Sequence, residues 1–476
     1  MTPDGLEEHF YFGGGTSTNI TPVGICILIL GCLAILLVRR KWLTVPFLVI
    51  TLLMPIGQVI VVFGAHLSIW RFLIFVAGMR ISWLAFITRT DPFPGPLNLL
   101  DKVFVGWAVC NAIAYSILWS DTGAFLNRLG FLYTGLGTYF LFRYLIRDRA
   151  DVIRVIRLLA IVAVPIAISM AIEHSTGRNP FAMLGGLDEL SNVRDGRVRA
   201  QGPFLHPIVA GSFGAVEFPL FVALWFEGRG NRLAAALGMV AATVIAVTAA
   251  SSTPLIAYAC GLMALCFWPF RRRMRTVRWC AVILLIALQL TMKAPVWFLM
   301  NRVAAVIGGT GWHRAELIDQ FVHRFFEWWL IGTRDNANWG LDMWDTINAY
   351  VRAGVEGGLV TFLLFLSILV IGFKRIGRAQ MLTKDDPNNE RLLFALGATL
   401  FSNAVAFLGI IYFDQSAIAW YLTLVLISVT TSFVLEAKKV EASPEVLLPL
   451  RHRTLKVNKQ SAPARPVPTY RNRLNV

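Results

Sequence analysis

An all-α, polytopic membrane fold is what this sequence predicts, and three observations carry that expectation. Apolar runs of about 20 residues, the length a helix needs to cross the hydrocarbon of a bilayer, recur along nearly the whole chain. The 476 residues are 56% hydrophobic and only 15% charged, with a mean hydropathy of +0.63, which leaves too little polar surface for a water-soluble enzyme. Lys and Arg gather at the ends of the apolar runs, so topology explains most of the net charge of +16 and no nucleic-acid partner is expected.

Taken in order, the apolar runs place spans near 22–38, 43–64, 67–87, 99–119, 122–143, 155–173, 204–226, 233–250, 253–270, 279–296, 349–373, 392–412 and 416–435. That is about 13 transmembrane helices, within a range of 12 to 14. The second and third are closely spaced and hold Pro55, Arg71 and Arg80, which fits a tilted or re-entrant segment as well as a plain span. The first 20 residues are acidic and Gly-rich without a basic leader, so the first run is expected to stay as an anchor. Basic clusters at Arg39-Arg40-Lys41, Arg147 to Arg157, Arg229 and Arg232, Arg271 to Arg278 and Lys374 to Arg378 fall on one side of every crossing. The positive-inside rule makes that side cytoplasmic, with the N-terminus outside and the C-terminus inside. Residues 1–436 then form a transmembrane domain, and 437–476 a basic, disordered cytoplasmic tail resting on anionic lipid. All six cysteines lie in apolar stretches and read as small core residues.

Two outside loops, 174–203 and 297–348, are too long to be mere connectors. The first ends with Arg194, Arg197 and Arg199 on the face that is normally poor in positive charge. A guanidinium offers a fixed fork of donors suited to phosphate oxygens, so such a cluster suits a lipid-linked diphosphate. Pairing with Asp188, Glu189 and Asp195, or with lipid headgroups, is the alternative. In the second loop Leu317, Ile318, Phe321, Phe325 and Trp328 or Trp329 make one helical stripe, with His313, Glu316 and Gln320 at helical spacing beside it. An amphipathic helix along the interface follows, anchored by Trp328-Trp329 at headgroup depth. Asn348, Tyr350, Arg352 and Glu356 stand at the top of the next span, where Arg352 and Glu356 have the spacing of an intrahelical ion pair. Glu217, alone within an apolar span, pairs with a buried arginine such as Arg71 or Arg80 or marks a proton pathway. No phosphate-binding Gly-rich loop, His-Glu-x-x-His, Gly-x-Ser-x-Gly or Asp-x-Asp occurs, so no metal site and no cofactor are expected.

Three stretches resemble the O-antigen ligase and O-antigen polymerase-like membrane proteins of bacteria, which handle undecaprenyl-diphosphate-linked glycans. They are Arg199-Ala200-Gln201-Gly202-Pro203-Phe204-Leu205-His206-Pro207, Arg314 ahead of Trp329-Leu330-Ile331-Gly332, and Asn348-Ala349-Tyr350 followed by Gly354-Val355-Glu356-Gly357-Gly358-Leu359. The likeness covers about 195–375. It departs from the ligases at Ile347, where they place a histidine, and this favours a polymerase or exopolysaccharide member. The resemblance implies a multi-spanning glycosyltransferase fold in the bacterial inner (plasma) membrane and a metal-independent, inverting glycan transfer at its outer face. The expected substrate is a polyprenyl-diphosphate-linked oligosaccharide, with membrane lipid and other polysaccharide assembly proteins as further partners. Arg199 and Arg314 are the first candidates to bind the diphosphate, and Arg197 and Arg334 the second. His206, His313 and Glu316 are candidate bases, and Asn348 and Tyr350 would orient the acceptor. The competing readings are a ligase that attaches the glycan to a different acceptor and a transporter or flippase of lipid-linked glycans.

Overall fold

The computed structural model describes residues 18–62, 65–89, 93, 95–302, 311–413 and 415–441. In chain order its main elements are α1 (Pro22–Leu37), α2 (Thr44–Leu53), β1 (Val59–Val62), β2 (Ala65–Ser68), α3 (Ile69–Thr88), α4 (Leu99–Trp119), α5 (Thr122–Leu145) and α6 (Arg149–Thr176). There follow β3 (Asn192–Arg194), β4 (Arg197–Arg199), α7 (Pro207–Trp225), α8 (Arg232–Thr248), α9 (Ser252–Cys266) and α10 (Met274–Thr291). The chain closes with α11 (Gly311–His323), α12 (Phe325–Trp328), α13 (Ala349–Leu382), α14 (Pro387–Ala406) and α15 (Gln415–Glu441). Among the described residues, eight helices are long and apolar enough to cross a membrane, and Pro22–Leu37 and Ser252–Cys266 are shorter apolar helices. The chain is thus an all-α, multi-pass membrane protein. The expected tail begins inside α15, which runs to Glu441; residues 442–476 lie outside the described residues.

Helix ends follow local chemistry. Asn98 and Asp101 form a reciprocal capping box at the start of α4, Asp121 caps α5, Asp148 caps α6 and Asp386 caps α14. One expected span is corrected. The stretch 43–64 is a ten-residue helix, about half a bilayer long, followed by the antiparallel β1–β2 pair with Val59 opposite Ser68. Pro55 and Gly57 break the helix, and the Val59–Val62 run is as apolar as a span but β-branched, so it extends.

Around α7, nearly all of whose residues are buried, pack α6, α8, α9 and α14. Close approach there rests on small residues. A Cβ on Gly214 would lie 2.7 Å from the Ala242 carbonyl oxygen, so the backbones of α7 and α8 approach each other with no room for a side chain there.

Ion pairs gather the basic connectors at one end of the bundle. Arg40 reaches Asp151 at 3.4 Å, Arg149 reaches Glu227 at 2.6 Å, and Arg271 reaches Glu390 at 2.9 Å. The hairpin β3–β4, α11 and the turn at 408–413 belong to the opposite end.

That opposite end is fastened to α13 through its backbone. Gly358 adopts φ 72° and ψ −172° and breaks the helix. The Leu359 N–H, which would normally bond Val355, donates instead to the Trp329 carbonyl at 2.8 Å, and Val355 accepts from the Thr333 N–H at 2.9 Å. A turn of the second long loop is spliced into the helix's own hydrogen-bond ladder.

Candidate functional site

The first wall of the site is the β3–β4 hairpin. Asp195 and Gly196, at φ 51° and 71°, form the two-residue turn that Asp-Gly favours, and Arg194 pairs with Arg197 and Asn192 with Arg199. Because side chains alternate along a strand, all three arginines lie on one face of the ribbon and Val193 and Val198 on the other. The base of the hairpin is held tightly. The Glu173 carboxylate accepts from the N–H groups of Gln201 and Gly202, at 3.1 and 2.8 Å, and from the Ser191 hydroxyl at 3.1 Å. The Ala200 N–H donates to Thr248 at 3.1 Å, and His174 Nδ1 donates to the Val198 carbonyl at 2.8 Å.

The second wall is α11. Its stripe turns inward, as the sequence periodicity requires: Leu317 and Phe321 join Trp328, Trp339, Met343, Val351 and Val355 in a compact cluster. The Phe321 and Trp328 rings stack at 3.9 Å, against the space left by Gly354. Trp328 is only 2% exposed and donates from its indole to the Phe321 carbonyl at 2.7 Å, so it is a core residue and not a headgroup anchor; Trp329 is the exposed member of the pair. Arg314, three and seven residues ahead of Leu317 and Phe321, shares their face of the helix and is buried with them.

Between these walls Arg199 and Arg314 are each 6% exposed, and the Nε of each is buried with no acceptor. Arg314 touches Ser252 Oγ through Nη1 at 3.4 Å, at the first turn of α9, whose Ser251 gives no side-chain cap. Burial, and then the charge of Arg194, lowers the Arg314 guanidinium to about 10. Burial also lowers Arg199, with Arg194 adding to the shift and Asp195 opposing it. Arg194 is therefore within electrostatic reach of both. Buried cations without counter-ions among the described residues, Arg314 beside the uncapped N-terminus of α9, make this end of the bundle attractive to an anion.

His206 is the N-cap of α7. Its Nδ1 accepts from the Ile208 N–H at 3.2 Å. Burial, followed by the charge of Arg199, lowers the imidazole to about 4. It is neutral at pH 7, and with Nδ1 committed as acceptor the proton sits on Nε2, so His206 presents a donor.

The remaining sequence-derived candidates lie elsewhere. Arg197 is exposed near the hairpin turn, and Arg334 donates to the Leu118 carbonyl at 2.6 Å beside Trp119. His313 Nε2 donates to the Asp342 carbonyl at 2.9 Å, and Glu316 accepts from Gln320 at 2.9 Å. Near His313, burial raises the Asp345 carboxyl, with His313 and Arg352 opposing the shift. Asn348 is wholly buried and caps α13, its Oδ1 accepting from Tyr350 and Val351 and its Nδ2 donating to Leu408 at 3.1 Å. The Tyr350 hydroxyl donates to Ala404 at 2.7 Å. All of these candidates except Arg197 have partners in the fold itself.

Arg352 forms the intrahelical pair with Glu356, at 2.7 Å, and Arg128 completes it from α5 at 3.2 Å while lying 3.5 Å over the Tyr115 ring. Both oxygens of Glu217 are buried without a partner among the described residues. The expected pairing is corrected: Arg71 donates to Thr134 and His66, and Arg80 to Ile35 and Val38. Next to Leu205 opens a cavity of about 1210 Å³ that is lined by Arg71, Arg128, Arg352 and Glu356 on its polar side. Among the described residues no group of three or more His, Cys, Asp or Glu side chains is placed to hold a metal ion.

Sequence reasoning passed over Glu173, Ser252 and Arg128. The signal for the hairpin was present, since Asp195-Gly196 between alternating residues is the strongest short-range hairpin mark. Compared with known protein families and with curated proteins, the chain matches none.

Proposed function

We propose that the protein is a metal-independent, inverting glycan polymerase of the bacterial inner membrane. It transfers a chain from a polyprenyl diphosphate to another lipid-linked repeat unit at the outer face. The observation that carries this reading is the burial of Arg199 and Arg314, the Nε of each without an acceptor among the described residues. A diphosphate leaving group supplies an anion, and its negative charge grows as the glycosidic bond breaks, so donors already fixed in place favour the transition state. His206 Nε2–H is a further donor to that leaving group. In an inverting transfer the acceptor hydroxyl attacks from the face opposite the diphosphate, so its proton passes to water on that face while the charge of the leaving group is held by the arginines. The finer topology belongs with this reading: about 13 crossings, some of them short, with the hairpin and α11 outside and the ion-paired basic connectors inside.

Reconstituted protein given lipid-linked repeat units tests the idea. The expected product is a ladder of longer lipid-linked glycans, formed more slowly by Arg199→Lys and Arg314→Lys at unchanged expression. Movement of the lipid across vesicles with no new glycosidic bond would instead establish transport. Transfer only to a different acceptor, with no lengthening, would establish a ligase.

A further inference from the structure

Beside the cavity at Leu205 lies a second space, with Tyr133 in the wall of both. The floor of the cavity lies along α3 and α5, where Trp70 and Arg71 face residues 126–134. A groove of about 1210 Å³ follows the same two helices onward, with Ile74, Gly78 and Trp83 on α3 and Gly137 and Leu141 on α5. Tyr133 donates its hydroxyl to the Arg71 carbonyl at 2.8 Å. The two spaces differ in chemistry. The cavity holds three guanidiniums, of Arg71, Arg128 and Arg352, against the single carboxylate of Glu356. Arg128 and Arg352 pair with that carboxylate, whereas among the described residues Arg71 has only the neutral Thr134 hydroxyl and His66 carbonyl. The groove is walled mainly by aliphatic and aromatic side chains, with Ser82 and with Arg80, whose guanidinium donates to the Ile35 and Val38 carbonyls. Its α3 wall, residues 74–86, is about 18 Å long at the rise of a helix, and Gly78 has open space where a side chain would stand.

We infer that α3 and α5 hold one polyprenyl diphosphate lipid, its anionic head at Arg71 and the start of its chain in the groove, at a site separate from Arg199 and Arg314. The positive cavity and the mainly apolar groove, neighbours across Tyr133, match the charge and shape of a lipid with a doubly anionic head and a single long tail. The inference deepens the proposed reaction and rests on it for one point: the lipid held here is the acceptor.

The test counts bound lipid on the purified full-length protein, with undecaprenyl diphosphate as the probe and native mass spectrometry as the readout. Two molecules per chain are expected, one lost in Arg71→Gln and the other in Arg199→Ala. Gly78→Trp fills the groove without touching either arginine, and should lower affinity for the Arg71 site by at least tenfold while Arg199-dependent binding stays. A single bound lipid, or two that survive both Arg71→Gln and Gly78→Trp, overturns the inference. So does equal displacement of the Arg71-dependent molecule by phosphatidylglycerol, which would make this an ordinary bilayer-lipid site. Failure of glycan transfer with two lipids still bound would strike the proposed reaction and leave the site standing.

Discussion

At the scale of single residues, the site is governed by what its charges lack. Arg199 and Arg314 are more than nine-tenths buried with no counter-ion among the described residues, so each bears a desolvation cost that a bound anion relieves. Lysine keeps the charge but loses the planar fork. Arg199→Lys and Arg314→Lys should each lower kcat/KM by about 10- to 100-fold, the equivalent of one charge-assisted hydrogen bond, in a chain-lengthening assay. His206 yields a pH prediction with a definite sign. Its value is lowered to about 4 in the folded chain against about 6.5 when free, so folding is undiminished above the free value and weakens as pH falls from about 6.5 toward 4. Activity read at constant folded fraction should show no histidine limb near pH 6.5. His206→Asn retains a capping oxygen and should fold normally, whereas His206→Ala should cost about 1 kcal/mol in thermal or denaturant unfolding. A sharp loss of activity on going from pH 7.5 to 6, with folding intact, would show instead that His206 works as a base.

At the scale of elements, two short features decide where those residues stand. The hairpin depends on Gly196 at positive φ, where alanine costs about 1–2 kcal/mol of local stability. Gly196→Ala should therefore loosen Arg199 and raise KM more than it lowers the unfolding temperature. The break in α13 is stricter. Gly358 occupies a region open almost only to glycine, and a Cβ there would meet the Leu330 carbonyl oxygen at 2.5 Å. Gly358→Ala is expected to lower folded yield severely, as measured by detergent-solubilised monodisperse protein. Much of this level was legible beforehand. Apolar runs located α4, α7 and α8 to within a few residues, because a helix that crosses the hydrocarbon needs an unbroken apolar length. The same measure misread 43–64, since hydropathy does not distinguish a helix from an apolar extended strand. Trp328 was misplaced for a related reason: adjacent tryptophans look alike in sequence, and only the stacking against Phe321 turns one of them inward.

At the scale of the whole molecule, distant pairs do what no local pattern announces. Arg128 and Glu356 meet from helices far apart in sequence, and Arg40 with Asp151 and Arg271 with Glu390 tie basic connectors into one end of the bundle. The sequence holds the charges, but their pairing depends on the order in which helices pack. If this end is cytoplasmic, as the basic bias requires, single cysteines should label asymmetrically in intact cells. In a background cleared of the native cysteines, Asp195→Cys should react with a membrane-impermeant maleimide from outside, and Asp386→Cys only after the membrane is opened. The opposite pattern would invert the topology and remove the proposed outer-face chemistry.

The splice between the second loop and α13 reaches into exchange kinetics. The Thr333 and Leu359 amides each take a partner from the other segment, so neither is released unless the two segments part. Their protons should trade with deuterium through one shared opening and at one common rate, although one belongs to a loop and the other to a long helix. A loop so bound has no independent swing, and whatever moves it must carry the upper turns of α13 along.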